Sequence, residues 1–264
     1  MPAVQIERKQ RVAAAAGMPH HRHMRPDASH DAALAARIEE LDWTGIARNL
    51  EAHGYATTAP LLDPAACDAL ADLYGRNRFR SRVIMARHGF GKGEYQYFAE
   101  PLPPAVATLR RAFYPHLAPI ARAWSAPLGL DTPFPDDLEG FRQLCRAAGQ
   151  SKPTPLLLRY GEGDYNCLHQ DLYGAVVFPL QLTVLLSRRR DFDGGEFVLV
   201  EQRPRMQSRA EVVPLEQGQA VIFAVRHRPV AGTRGTYRVN LRHGVSRVAR
   251  GQRYTLGVIF HDAA

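Results

Sequence analysis

Residues 159–171 read RYGEGDYNCLHQD, and this stretch decides the fold of the chain. It follows the apolar run LLL at residues 156–158, which predicts a buried strand, and its glycines predict a turn. The stretch ends on His169-Gln170-Asp171, so a histidine and an aspartate stand two positions apart. That pair alone is a common accident in a chain with 11 histidines, and its meaning depends on the sequence around it.

Short apolar runs continue towards the C terminus. They predict strands at residues 180–186, 197–200, 220–225 and 253–260. The sequence DGGE at residues 193–196 predicts a turn between the first two of these strands. At least five strands after residue 155, with no convincing long helix between them, predict a mainly β, α+β fold. Its core would be an antiparallel double sheet or jelly roll.

A second histidine completes a candidate metal site. His243 lies 72 residues after Asp171, and Arg253 follows His243 by ten positions. Two imidazoles and one carboxylate on one face of a metal ion leave the opposite positions open for other ligands, an arrangement typical of non-haem Fe(II) centres. The sequence therefore predicts a metal site that contains His169, Asp171 and His243.

The segment from about residue 155 to the C terminus resembles the double-stranded β-helix core of the Fe(II)/2-oxoglutarate-dependent dioxygenases, and within them the prolyl-hydroxylase-like branch. The resemblance covers roughly 110 residues of the chain. Its matching pieces are Arg159-Tyr160, Gly163, the pair His169 and Asp171, Gly194-Gly195-Glu196, Gly218, and the run from His243 to Thr255. The combined pattern is specific, although no single piece is.

The resemblance implies a role for several of these positions. It implies three iron ligands, His169, Asp171 and His243. Arg253 would form a bidentate clamp on the far carboxylate of 2-oxoglutarate, a role that suits a planar guanidinium group. Thr255 and Tyr160 would add hydroxyl hydrogen bonds to the same carboxylate. The implied cofactors are Fe(II) and the co-substrate 2-oxoglutarate, with dioxygen as the other reactant.

His227 is an alternative to His243 as the second histidine ligand. It lies between residues 225 and 242, in a stretch that is longer here than is usual in the family. His227 lacks a basic residue ten positions on, where Tyr237 stands, and the chain would continue too far beyond the core if His227 were the ligand. We therefore prefer His243.

The N-terminal part of the chain predicts helices that pack on the outer face of the major sheet. Apolar spacing predicts two short helices, at residues 34–41 and 46–53. After a predicted strand, Asp63 is a good N-cap for a third helix because Pro64 suits the first helical position. Gly75 is a natural stop for this third helix.

Two further helices are predicted before the core. Residues 106–124 keep helical spacing, although Pro115 and Pro119 should kink or divide that helix. Residues 137–148 predict one more helix. The aromatic residues of these helices are interpreted as core rather than as a cofactor site.

Composition divides the chain into three parts. A flexible basic tail occupies residues 1–30, a helical, substrate-facing region occupies 31–154, and the catalytic core occupies 155–264. The tail contains His20, His21 and His23, a cluster that invites a metal-site interpretation. Because the cluster lies in polar, low-complexity sequence, we interpret it as part of a solvated tail.

Cysteine usage and hydropathy indicate the cellular compartment of the protein. The three cysteines, Cys67, Cys145 and Cys167, are an odd and sparse set that is typical of reduced thiols rather than of a disulfide framework. The sequence contains no run of 18 apolar residues, so it predicts no membrane span. The first 30 residues lack the long apolar segment of a secretory signal. We expect a cytoplasmic protein without a membrane partner.

Positive charge is concentrated in two stretches. Residues 188–253 contain 14 arginines and six acids, a net charge of +8 that equals the charge of the whole chain. Residues 76–92 contain six positive residues and no acid, with aromatic residues interleaved or close by. This pattern is typical of phosphate contacts combined with base stacking. It predicts five candidate substrate contacts, Arg78, Arg80, Phe90, Lys92 and Tyr95.

A compositional bias offers a simpler explanation of the same charge. Arginine outnumbers lysine 31 to 3, so arginine could fill every basic surface position without binding nucleic acid. Three functions therefore remain open. Charge favours oxidation of an alkylated nucleic acid base, that is, oxidative demethylation and DNA repair with release of succinate and CO2. The Gly-Gly-Glu turn favours a prolyl-type protein side-chain hydroxylase, and a non-catalytic jelly-roll binding protein is the least favoured.

Overall fold

The computed structural model describes residues 28–233 and 235–264. Residues 1–27, including the cluster of His20, His21 and His23, lie outside the described residues. The described part of the chain contains five α-helices, all before residue 150, and fifteen strands. Among these helices, none combines the length and the hydropathy that crossing a membrane requires.

Three short helices form near the positions that apolar spacing and capping residues predict, although the first begins six residues earlier than predicted. Helix α1 spans Ala28–Glu39, and α2 spans Trp43–His53. The side chain of Asp42 caps α2 by accepting a backbone hydrogen bond in the first turn. Helix α3 spans Pro64–Ala71 behind its N-cap Asp63, as the Asp-Pro pair predicts, but it ends four residues before the predicted glycine stop.

Helix α4 is one continuous helix, Pro104–Leu128, although Pro115 and Pro119 lie inside it. The prolines were expected to kink or divide the helix, and they do not divide it. A proline removes one N–H donor and crowds the preceding turn, but α4 buries an apolar face along its whole length. Tertiary packing of that face outweighs the local loss. Helix α5 spans Leu138–Ala147 behind the N-cap Asp137, close to its prediction.

The strands are short and numerous. Strands β1 to β15 span, in chain order, Tyr55–Thr57, Phe79–Ile84, Gly91–Lys92, Glu94–Phe98, Leu156–Tyr160, Tyr165–His169, Leu180–Leu185, Phe192–Gly194, Phe197–Gln202, Arg209–Val213, Ala220–Ala224, His227–Gly232, Gly235–Val245, Val248–Gly251 and Arg253–Val258.

Two antiparallel sheets form the core. The seven-stranded sheet has the order β1-β11-β7-β15-β5-β4-β2, and the six-stranded sheet has the order β10-β9-β13-β6-β3, with β12 beside β13. Strands β8 and β14 form a separate two-stranded ribbon. Phe197 of β9 and Phe223 of β11 join the two sheets, with ring centroids 4.9 Å apart. The predicted jelly-roll architecture is confirmed.

The seven-stranded sheet continues across residue 155. Strand β4 pairs with β5 from Glu94 opposite Arg159 to Tyr97 opposite Leu156. The sheet of the core thus extends into the region N-terminal to it, and the division into residues 31–154 and 155–264 stays a prediction.

The last strand ends at Val258, two residues earlier than predicted. The carbonyl oxygens of Ile259 and Phe260 accept hydrogen bonds from the guanidinium of Arg110 in α4, at 3.0 and 2.7 Å. A side chain of α4 therefore takes the place of a neighbouring strand at this end of the sheet.

Candidate metal centre

Adjacent strands of the six-stranded sheet bring the predicted metal ligands together. His169 ends β6, His243 lies in β13, and the two residues stand opposite each other in the antiparallel register. Asp171 follows β6 by two residues. One ligand atom from each of the three side chains lies within 4.8 Å of the others. Within the described residues, this is the only group of three or more such side chains that could hold a metal ion.

The ligand atoms converge on the carboxylate. His169 Nε2 lies 3.5 Å from Asp171 Oδ1, and His243 Nε2 lies 3.3 Å from Asp171 Oδ2. The two imidazole rings have centroids 4.2 Å apart. Asp171 and His243 are buried, whereas His169 is half-buried and faces the cavity described below. Two imidazole nitrogens and a carboxylate, gathered on one side of a cavity, are the donor set of a non-haem Fe(II) site.

A backbone contact orients the ring of His169. Its Nδ1 lies 2.8 Å from the carbonyl oxygen of Cys167. Because a carbonyl oxygen can only accept, Nδ1 carries the proton in this contact and Nε2 keeps its lone pair for a ligand. Such contacts on the far nitrogen are typical of metal-binding histidines.

Two donors hold the carboxylate of Asp171. The hydroxyl of Tyr173 donates to Oδ1 at 2.5 Å, and Gln181 Nε2 donates to Oδ2 at 2.8 Å. Burial by itself raises the pKa of Asp171, but the hydrogen bond from His243, the charges of both histidines and the hydrogen bond from Tyr173 outweigh it and hold the pKa well below its usual range. The carboxylate is therefore ionised and positioned.

The state of His243 also suits a ligand. Burial lowers the pKa of His243 and the charge of His169 lowers it further, against the opposing effect of Asp171. The ring is then neutral at neutral pH, which is the form that binds a metal ion. Phe223 packs against this ring with centroids 4.6 Å apart.

A cavity of about 260 Å³ opens beside these residues. Its wall includes the three residues predicted to bind 2-oxoglutarate, Arg253, Thr255 and Tyr160. Arg253 and Tyr160 face each other across β15 and β5 in the hydrogen-bonded register. The sheet therefore places all three side chains on one face, in the wall of the cavity that the predicted metal ligands also line.

Arg253 is a buried cation without a partner. Its Nε and Nη1 have no hydrogen-bond partner in the described part of the chain. Burial lowers the pKa of Arg253 to about 10, so the side chain is still charged at neutral pH. A Cβ on Gly195 would lie 3.0 Å from Arg253 Cδ, and the φ of +63° there also favours glycine. The Gly-Gly turn therefore leaves room for an arginine whose donors face a ligand.

His227 takes no part in this centre. It lies half-buried in β12, opposite Asn240 of β13, and lines a different cavity. The geometry thus favours His243 over His227, in agreement with the preference from sequence. The roles of the predicted ligands and of the 2-oxoglutarate contacts stay predictions.

The five candidate substrate contacts fall into two groups. Phe90 and Tyr95 line the cavity, where Phe90 is 48% exposed. Arg78, Arg80 and Lys92 do not line it. Arg80 instead donates to the carbonyl oxygen of Pro153 and lies over the ring of Tyr97.

Tyr173 and Gln181 were missed as functional residues. A signal existed for Gln181, because it stands at a fully buried position in the apolar strand β7. A buried amide needs partners, so a glutamine inside such a strand indicates a polar group opposite it. Nothing comparable marks Tyr173, whose position depends on the irregular segment after β6.

Comparison with known proteins agrees with this geometry. Residues 93–263 match the model of the family Oxygenase-NA, described as an oxygenase catalysing oxidative methylation of damaged DNA. Two uncharacterized proteins of Mycobacterium tuberculosis, from strains H37Rv and CDC 1551, are each 51% identical over 168 residues, which is 63% of this chain and 72% of each relative.

Solved structures are similar at lower identity. A prolyl-4-hydroxylase of Pseudomonas putida has 15% identity and a TM-score of 0.48, covering 84% of this chain and 100% of that one. An oxidoreductase of the 2OG-Fe(II) oxygenase family from Burkholderia pseudomallei has 17% identity and a TM-score of 0.49, covering 85% and 94%.

Proposed function

We propose that this chain, which belongs to the Oxygenase-NA family and is an Fe(II)- and 2-oxoglutarate-dependent dioxygenase, oxidises a C–H bond on an alkylated base of nucleic acid. The family description, which names damaged DNA, supports this substrate class. The observation that carries the proposal in the structure is the cavity itself. Its wall contains the three predicted metal ligands and an exposed aromatic residue, Phe90.

The iron would be held by His169, Asp171 and His243. The fit rests on the donor set and on the contacts already in place, since the carbonyl of Cys167 orients one imidazole and Tyr173 orients the carboxylate. When iron and 2-oxoglutarate are bound, they supply the chemistry that oxidises a C–H bond with release of succinate and CO2.

Arg253 would bind the far carboxylate of 2-oxoglutarate. Its Nε and Nη1 are buried without a partner, and a buried charge left in that state is costly unless a ligand satisfies it. A carboxylate accepts two parallel hydrogen bonds from a guanidinium. Tyr160, whose buried hydroxyl also has no partner in the described residues, and Thr255 would complete this contact.

The mouth of the cavity supports a planar, apolar substrate. Phe90 and Leu168 line the cavity and are 48% and 45% exposed. The ring of His88 stacks on Phe90, with centroids 5.3 Å apart. Enzymes that act on a base must take it out of the stack, and aromatic side chains replace the stacking that is lost. Phe90 would hold the extruded base, and the alkyl group of the base would point to the iron.

The outcome of the reaction follows from the position of the oxidised carbon. A hydroxyl placed on a methyl group bound to a base nitrogen makes an unstable product that releases formaldehyde, so the net change is demethylation. This would be a DNA-repair reaction. A cytoplasmic location belongs to the same proposal, because Cys67, Cys145 and Cys167 are all free thiols.

A prolyl-type protein side-chain hydroxylase is the alternative. The Gly194-Gly195-Glu196 turn supports it, because this turn resembles those of prolyl hydroxylases. Both candidates use the same metal centre and the same 2-oxoglutarate contacts, and they differ only in what occupies the mouth of the cavity.

The test is turnover by the iron-loaded protein with N-methylated and unmethylated oligonucleotides of one sequence, and with a proline-containing peptide library. We expect the methylated oligonucleotide to yield succinate and formaldehyde in equal amounts, and the unmethylated oligonucleotide and the peptides to yield neither above background. Phe90→Ala should lower this turnover, whereas Phe90→Tyr should keep it because the aromatic face remains. Succinate formation stimulated by peptides, with none above background from any methylated oligonucleotide, would replace the proposal with the alternative.

A further inference from the structure

A second cavity, of about 290 Å³, lies beside the hairpin of β9 and β10. Its lining is strongly basic and, among the residues described, contains no acid. The residues that matter here are Arg203, Arg205, His227, Arg238 and Asn240. All of them come from the arginine-rich stretch of residues 188–253, and none of them lines the first cavity, which Arg253 of the same stretch does.

The positive charge around this cavity is only partly neutralised. Glu201 is the acid that neighbouring arginines share. Arg228 Nη2 contacts it at 2.5 Å and Arg203 Nε at 2.7 Å, with Arg209 at 3.8 Å. One carboxylate thus faces three guanidinium groups. Arg205 and Arg238 lack an ion pair or hydrogen bond of the side chain within the described residues.

The backbone at Arg205 is strained. Its φ is +60°, in the left-handed region that residues with a Cβ rarely adopt, and it is the only residue other than glycine with a positive φ in the described part of the chain. This conformation lies in the loop of residues 203–208, whose first three residues line the cavity. Such outliers persist where the surrounding structure holds them, often at ligand sites.

The second cavity is connected to the metal centre by one hydrogen bond. Asn240, in its lining, accepts a hydrogen bond from Gln170 Nε2 at 2.8 Å. Gln170 stands between His169 and Asp171 and lines the first cavity. Along β13, Asn240 precedes His243 by three residues, about 10 Å of strand. This odd separation places the two side chains on opposite faces of the sheet, and Gln170, after the end of β6, links one side to the other.

We propose that the second cavity binds a backbone phosphate of the nucleic acid strand whose base enters the first cavity, with Arg205 and Arg238 as the phosphate contacts. This inference rests on the proposed function and adds a site that binds the nucleic acid backbone. Two guanidinium groups without partners offer the planar donors that phosphate oxygens accept.

The position of His227 agrees with a positive potential in this cavity. Burial lowers the pKa of His227, and the charges of Arg226 and Arg238 lower it further. A phosphate would relieve the repulsion among these groups. His227 lines the second cavity and not the first, so it belongs to the proposed phosphate-binding surface and has no role at the metal.

The test is the salt dependence of binding of a short single-stranded oligonucleotide, followed by fluorescence anisotropy. The variants are Arg205→Gly, Arg238→Gln and the double variant, with the exposed Arg111→Gln of α4 as the matched control, because Arg111 lines neither cavity. Each lost phosphate contact should reduce the slope of log K against log salt concentration by about 0.7, and the double variant by about 1.4. Arg111→Gln should leave the slope unchanged.

Arg205→Gly separates binding from folding. Glycine accepts a positive φ without strain, so the melting temperature of the Arg205→Gly variant should not fall below that of the wild type. Weaker binding by this variant therefore supports the phosphate contact and cannot be attributed to unfolding. Inorganic phosphate, added at the same phosphate concentration as the oligonucleotide, should not displace it. Full displacement would indicate a site for free anions and overturn the proposal.

Failure of this inference is distinct from failure of the proposed function. If the wild-type protein demethylates oligonucleotides but the double variant keeps the wild-type slope, the phosphate site is wrong and the function stands. If the slope falls as expected while no methylated oligonucleotide is turned over, the phosphate site is supported and the proposed reaction is wrong. Absence of any oligonucleotide binding at low salt would overturn both.

Discussion

Arg110 and Arg253 are both buried, at 1% and 2% exposure, but their surroundings differ. Arg110 donates to the carbonyl oxygens of Ile259 and Phe260 and forms an ion pair with Asp262 at 2.7 Å. Arg253 has no hydrogen bond or ion pair within the described residues, and its guanidinium lies 5.7 Å from the ring centre of Tyr160. The protein itself satisfies most of the donors of the first arginine and leaves those of the second for a ligand.

The pKa shifts express the same difference. Burial lowers the pKa of both arginines, and Asp262 opposes that effect at Arg110. At Arg253, where Tyr160 and Glu196 oppose it, the pKa is still lowered to about 10. A buried cation with its own anion belongs to the fold, whereas a buried cation that lines a cavity without an anion indicates a binding site for one.

The largest effect on stability should come from Arg110. Arg110→Met leaves Asp262 buried with only Arg142, at 3.1 Å, as an ionic partner. Breaking a buried pair in this way costs about 3–5 kcal/mol of unfolding free energy. Denaturant unfolding measures it, and Arg142→Met, at a partly exposed position, should cost less. Equal losses for the two variants would mean that Arg110 does not hold α4 to the C-terminal segment.

Substitution of Arg253 should affect ligand binding instead of stability. Arg253→Met removes a buried charge without a partner, so the unfolding free energy of the ligand-free protein should stay the same or rise. The apparent KM for 2-oxoglutarate should rise on the order of tenfold to a hundredfold, because a charge-assisted contact contributes about 1.5–3 kcal/mol.

Thermal melting with and without 2-oxoglutarate checks the same point independently of turnover. The wild-type protein should be stabilised by the ligand, and Arg253→Met much less so at the same concentration. An unchanged KM and an unchanged thermal shift would show that another arginine, such as Arg238 or Arg242, holds the carboxylate.

The comparison extends to a buried anion, Asp171, where the expected effect is a smaller change in iron affinity. Asp171 already has its donors, Tyr173 and Gln181, before any metal ion binds. Tyr173→Phe should therefore weaken iron binding by about tenfold, the lower end of the range for residues that orient metal ligands. Competition with a chelator measures this affinity. Tyr254→Phe, at a hydroxyl that contacts only Gln252 among the described residues, is the control and should leave the affinity unchanged.

Much of the site could be predicted from sequence because its parts are local or periodic. The apolar runs of the strands, the Asp63-Pro64 start of α3 and the spacing between His243 and Arg253 are each visible within a short window. Antiparallel pairing of β6 with β13 then brings His169 and His243 together. The register of the sheet converts a separation of many residues into a contact.

The rest depends on contacts that no window contains. Arg80 could be predicted as a substrate contact from the charge of its stretch, but its guanidinium lies over Tyr97 and donates to Pro153. Arg205 and Arg238 were indistinguishable from the other arginines of residues 188–253, because only the fold decides which guanidinium groups meet an acid. Likewise, the burial that keeps α4 continuous across its prolines is a property of its packing.

The most direct test of the account is the iron content of three proteins, the wild type, His243→Ala and His227→Ala, each loaded with Fe(II) without oxygen and freed of excess metal. These two histidines lie on neighbouring strands, yet only His243 faces Asp171 and His169. We predict about one iron per chain for the wild type and for His227→Ala, and a loss of iron from His243→Ala. Full iron content in His243→Ala, or its loss from His227→Ala alone, would contradict the account.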